Sequence, residues 1–153
     1  MGVADKIEKN ETKRGSCFNS KNNEDEERKR VSSLTWVKVK QFIGTPRRSD
    51  FALDKEELPA IKRKEILLES LCWTTDHYMK IFDVALGSVM VGEQVASVID
   101  TLHEDYPLNA LVACSCGWRT HAIVNPEEEP VRRLIDIGNL PASLYLGTLG
   151  LPG

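Results

Sequence analysis

Apolar and polar positions change rhythm several times along the chain, and each rhythm predicts an element. From Leu34 to Phe42 the residues alternate over part of their length and are rich in β-branched and aromatic types, which predicts a strand. Gly44-Thr45-Pro46 ends it, and Arg47-Arg48 place two charges in the loop that follows. Asp54 with Glu57 three residues later has the form of a capping box, and Pro59 moves the helix start as late as Leu58. Beyond it Ile61, Leu67, Leu68 and Leu71 make an apolar stripe, so an amphipathic helix is expected to run to about Cys72-Trp73.

Thr74-Thr75-Asp76 is a second start signal. From His77 to about Leu102 the residues Tyr78, Phe82, Ala85, Leu86, Val89, Ala96 and Ile99 share one face at helical spacing, which predicts a long second helix. Gly87 and Gly92 inside it mark a break or a place where another element packs closely. Leu111-Val112-Ala113 and Ala122-Ile123-Val124 flank Cys114-Ser115-Cys116-Gly117, the pattern of a hairpin with sulfurs at its tip. Acidic residues 127–129 suit a helix N-terminus, so a short third helix is expected through Val131, Leu134 and Ile135 to Gly138. Residues 140–153 are almost uncharged and rich in Leu and Gly; such an end packs onto the domain or docks into a neighbouring subunit.

The expected fold is therefore a small single α+β domain over residues 33–153. It has two or three amphipathic helices and a short antiparallel sheet that includes a zinc-knuckle-like hairpin at 111–124. Residues 1–32, dominated by Lys, Glu, Asn, Asp and Ser, read as a flexible charged tail, because they cannot bury enough surface to offset ordering entropy. The length of 153 residues suits one domain. The net charge of −3 hides an asymmetry: residues 1–66 carry 16 Lys and Arg against 12 Asp and Glu, the rest 4 against 11. A basic arm on an acidic body is expected, solvated or directed at an acidic partner. No apolar run near the start has the length of a secretory h-region, and Lys80, Asp83 and Glu93 interrupt the longest apolar segment. A cytoplasmic or other intracellular protein is expected, neither secreted nor membrane-bound.

Candidate chemistry concentrates in the hairpin. Zinc takes four ligands from thiolate and imidazole, and Cys114, Cys116 and His121 supply three of them within eight residues. His103 is the preferred fourth, with Cys72 or His77 as alternatives, while Cys17 has no assigned role. Gly117 is expected at positive φ or in close approach to the sulfurs. The pentapeptide Cys114-Ser115-Cys116-Gly117-Trp118 resembles the CxCGW element of short actinobacterial and phage proteins, a resemblance of five residues that implies no activity.

A fainter resemblance is to the zinc deaminases, whose H-x-E and P-C-x-x-C pattern falls here on His103, Asp105, Cys114 and Cys116, with Asp in place of Glu and the cysteines one residue too close. Cys114 and Cys116 also have the spacing to cycle through a strained, oxidising disulfide. No Ser-His-Asp ordering, phosphate-binding Walker loop or G-x-G-x-x-G occurs.

These readings combine into a non-enzymatic binding or assembly subunit, an adaptor whose fold a structural zinc staples, with a protein partner or a second copy held through 140–153. One alternative is a nucleic-acid-binding zinc module using the basic N-terminal arm. Another is a zinc-dependent hydrolase or deaminase-like enzyme with His103, Cys114 and Cys116 as ligands.

Overall fold

Val, Ile and Thr are stiff at χ1 and pack well on a pleated surface, and they populate most of the segments that pair as strands. The computed structural model describes residues 30–76, 78–82, 84–135 and 138–147. Its strands are β1 (Ser32–Lys38), β2 (Phe51–Glu57), β3 (Ile66–Trp73), β4 (Gln94–Thr101), β5 (Leu111–Cys114), β6 (His121–Val124) and β7 (Val131–Arg133). The single α-helix among the described residues, α1 (Tyr78–Ile81), is one turn long, and short 3₁₀ turns occur at Arg48–Asp50 and Ala142–Tyr145. β1 and β2 form an antiparallel pair, and the other five strands form a sheet in the order β6-β3-β4-β5-β7.

The main core follows from the period of two in a strand. Ile66 and Leu68 on β3, Ala96 and Val98 on β4, Val112 and Cys114 on β5, and Ala122 and Val124 on β6 pack as one buried cluster. On β3, Leu67 is buried as well, in a second cluster with Leu58 and Ile61. Tyr145 and Leu146 close a further cluster over Val95, so this part of the C-terminal segment packs on its own domain.

The two-stranded sheet is tied to the larger body through the free edge of β1. Trp36 N–H donates to Trp118 O (2.9 Å), Lys38 N–H to Ser88 O (3.0 Å) and Met90 N–H to Trp36 O (2.8 Å). Thr120 N–H donates to Leu34 O (2.9 Å), and Ser33 Oγ donates to His121 O (2.7 Å). β1 thus runs between residues 88–90 and 118–120, which fixes both loops.

This architecture corrects the α+β expectation: the described chain is mostly β-sheet. The strand expected over Leu34 to Phe42 is present in part as β1, which ends at Lys38, but the helix expected from Leu58 to Trp73 is β3 preceded by irregular chain. Ile66, Leu67 and Leu68 are all buried, so both faces of β3 are covered and its alternation is lost. Register shifts between Leu67 and Leu68 and between Ser70 and Cys72 disturb the period further. The long helix expected from His77 to Leu102 reduces to α1, an irregular loop and β4. The short helix over 131–137 is instead β7, entered by a turn in which Glu128 and Glu129 N–H both donate to Asn125 O (3.0 Å each).

The hairpin at 111–124 is corrected too. β5 and β6 are strands, but they lie apart in the sheet with β4 and β3 between them. Residues 115–120 are captured by other partners: Gly117 N–H donates to Gly92 O (3.1 Å) and Trp118 N–H to Met90 O (2.9 Å). Of the tail expected over residues 1–32, residues 1–29 with Cys17 lie outside the described residues, as do His77 and residues 148–153, whereas Val31 packs against the Leu58 cluster and Ser32 begins β1.

Candidate active site

The loops fixed by β1 wall an open cleft of about 510 Å³. Phe42, Thr45 and Pro46 come from the loop after β1, Phe51 from the start of β2, and Thr75, Asp76, Met79 and Lys80 from α1 and its approach. Met90 and Trp118 complete it. Phe51 joins the two aromatic sides, with ring centroids 5.5 Å from Phe42 and 5.7 Å from Trp118. Behind Phe42, the buried Lys38 places its ammonium 4.8 Å from the ring and donates to Val84 O (2.8 Å).

Two glycines set the position of Trp118. A Cβ on Gly92 would stand 2.9 Å from the indole nitrogen, so only a glycine lets the ring lie against that backbone. Gly117 has φ +74°, and a Cβ there would stand 2.7 Å from Met90 O. The indole N–H then donates to Thr74 O (3.0 Å), which anchors the far edge of the ring. The expectation of positive φ at Gly117 is met, with the close approach made to a carbonyl of the 88–92 loop.

On the opposite flank of the same loop sit Cys114 and Cys116, both free thiols, with their sulfurs 3.2 Å apart. Gln94, 1% exposed, sits opposite Cys114 in the register of β4 and β5, and its amide oxygen accepts from Trp73 Nε1 (3.3 Å). The hydrogen bond between the thiols and burial push Cys114 far above the ordinary thiol range, whereas the same hydrogen bond draws Cys116 down.

The structure does not gather the expected zinc ligands. Cys114 pairs with Gln94 across β4, while His121 pairs with Glu69 across β3, so two strands separate them. His121 Nδ1 lies 3.1 Å from Thr120 Oγ1. His103 follows β4, stacks edge-on to Tyr106 with centroids 5.0 Å apart, and accepts a hydrogen bond from Asp105 N–H (3.2 Å). Cys72 is half-buried on β3, its thiol pushed up by burial. Among the described residues no group of three His, Cys, Asp or Glu is placed to hold a metal ion. None of the described helices is long and apolar enough to cross a membrane.

The family model described as the N-terminal domain of oxidoreductase matches residues 34–131. The chain belongs to this family. It is 42% identical over 127 residues to prostaglandin reductase 1 of Bos taurus, covering 80% of this chain and 38% of that protein. It is 29% identical over 129 residues to the NADPH-dependent curcumin reductase of Escherichia coli K12, covering 77% and 36%. Among solved structures it is similar to CurA from Vibrio vulnificus, with TM-score 0.67, 27% identity and coverage of 78% and 37%. The chain thus spans a little over a third of the length of these relatives.

Membership of an oxidoreductase family, with relatives that are reductases, overturns the non-enzymatic zinc adaptor. It also overturns both zinc alternatives, the nucleic-acid module and the hydrolase or deaminase. The curcumin reductase is named as NADPH-dependent and a solved CurA structure is a complex with NADPH, while the geometry of the described residues gives zinc no support. The cleft residues went unread in the sequence because they come from five separated segments with no periodic relation. The available signal was Gly92, expected to mark a break or a close approach; the structure shows that the ring of Trp118 makes that approach.

Proposed function

We propose that this chain is the substrate-holding domain of an NADPH-dependent reductase that acts on extended, largely apolar molecules. The observation that carries this reading is the cleft. Phe42, Phe51, Met79, Met90 and Trp118 make a wall that favours apolar surface, and Thr45, Thr75, Asp76 and Lys80 leave a few polar groups to orient a carbonyl or hydroxyl. Two of its walls are methionines, whose flexible thioethers adapt to varied shapes. A family of oxidoreductases and relatives named for reducing prostaglandins and curcumin support the same substrate character.

NADPH supplies a hydride when bound. The described residues do not by themselves fit a dinucleotide: the one helix is a single turn, and no strand, glycine loop and helix are joined to cradle a pyrophosphate. Their part is to bind the substrate, to orient it and to exclude water on one side.

Calorimetric titration of curcumin into the chain tests the binding, with one-to-one saturable binding expected and its loss in Met90→Lys. A chimera joining this chain to the remaining portion of the bovine relative should consume NADPH when curcumin is supplied. A folded chain that binds no curcumin or other conjugated apolar carbonyl would overturn the reading.

A further inference from the structure

The thiol pair lies outside the cleft and takes no part in holding a substrate there. We propose that Cys114 and Cys116 form a redox-active dithiol, which a small hydroperoxide converts into a reversible Cys114–Cys116 disulfide. Two residues apart on a straight strand, the side chains would share a face with Cα atoms about 6.8 Å apart, at the far limit for a disulfide. Here β5 ends at Cys114, so the pair straddles the end of the strand rather than lying along it, and the sulfurs stand 3.2 Å apart. A disulfide requires a further approach of about 1.1 Å, within reach of small side-chain rotations.

The two sulfurs differ in access, and this assigns their roles. Cys116 is half-buried and Cys114 is 4% exposed, so a small oxidant reaches Cys116 first. The Cys116 sulfur attacks one peroxide oxygen and the O–O bond breaks. An alcohol, or water from hydrogen peroxide, leaves, and Cys116 becomes a sulfenic acid. The Cys114 sulfur then attacks the Cys116 sulfur and the S–O bond breaks, with water carrying away the Cys114 proton. Two thiols are oxidised and one hydroperoxide is reduced. A ring closed across a single intervening residue is strained and therefore readily reduced by a dithiol, which makes the step reversible.

The test treats the reduced full-length chain with hydrogen peroxide, blocks remaining thiols by alkylation and maps the peptides by mass spectrometry. The peptide carrying Cys114 and Cys116 is expected to be unalkylated and lighter by two hydrogens, with Cys72 alkylated, and dithiothreitol should restore both thiols. In Cys114→Ala the reaction should stop at a Cys116 sulfenic acid that dimedone traps. In Cys116→Ser, Cys114 should remain a thiol. The proposal is overturned if the wild-type chain keeps both residues alkylatable under conditions that oxidise glutathione in the same tube. It is equally overturned if Cys116 proceeds to sulfinic acid beside an unchanged Cys114. The wild-type mapping decides the matter even if a variant fails to fold, and it does not depend on curcumin binding or NADPH consumption.

Discussion

The sheet core and the cleft are built by different means from the same stretch of chain. In the core, one residue type at every second position suffices: Ile66 and Leu68, Ala96 and Val98, Val112 and Cys114, Ala122 and Val124 meet because four neighbouring strands present the same face. In the cleft, the walls come from loops, and their positions rest on single backbone hydrogen bonds and on two glycines that admit Trp118. The core is redundant and the cleft is not. A defect in the core should therefore cost stability, and a defect at the glycines should cost binding out of proportion to stability.

The largest expected effect is in the core. Leu68→Ala removes a fully buried side chain from an interior strand of the sheet and should lower stability by about 2–5 kcal/mol, read from the denaturation midpoint. The fraction that stays folded should still bind curcumin. If binding disappeared before unfolding, the separation of core from cleft would be wrong.

Gly117→Ala should cost about 1–3 kcal/mol for a non-glycine at positive φ. Because the new Cβ meets the Met90 carbonyl, the loop carrying Trp118 must move, and curcumin binding should fall much further than the midpoint shift implies. Gly92→Ala is milder in backbone terms, since its φ is not positive, but its Cβ displaces the indole. Loss of the Trp118 to Thr74 hydrogen bond costs about 1 kcal/mol of stability, a shift of a few degrees in melting temperature, and calorimetry should show weaker curcumin binding because the displaced indole lines the cleft. Equal effects of Gly92→Ala and Leu68→Ala on stability would break the comparison.

The smallest effect lies on the surface, where Lys64 pairs with Glu127. The hydrogen bond from Lys64 holds the Glu127 carboxyl below its ordinary value of 4.5. The folded value lies below the unfolded one, so the stabilisation is present above about pH 4.5 and is lost as the pH falls through the folded value. Melting curves of Lys64→Gln and the parent should differ slightly at neutral pH and converge in acid. Both side chains are about half exposed, so the difference is small at any pH.

Several local features were legible because they depend only on neighbours in sequence. β-Branched and aromatic residues with partial alternation marked β1, although the strand ends at Lys38, before the expected break at Gly44-Thr45-Pro46. Gly117 was expected at positive φ or in close approach to the sulfurs, and Gly92 at a break or a close packing; the structure selects the positive φ and the close packing. These are properties of a few adjacent residues, and the surrounding fold did not reverse them.

What the sequence could not decide was which segment lies beside which. Leu67 and Leu68 gave a stripe that reads equally as a helix face or as a strand covered on both sides, and the second layer over β3 settled it. Cys114, Cys116 and His121 are close in sequence, yet β3 and β4 lie between the strands that carry the first and the last. The 115–120 loop follows β1 and the 88–92 segment, whose backbone groups satisfy its own, and so the hairpin never closes. Strand pairing and loop capture are settled by the whole set of buried hydrogen bonds at once, and no local window contains that set.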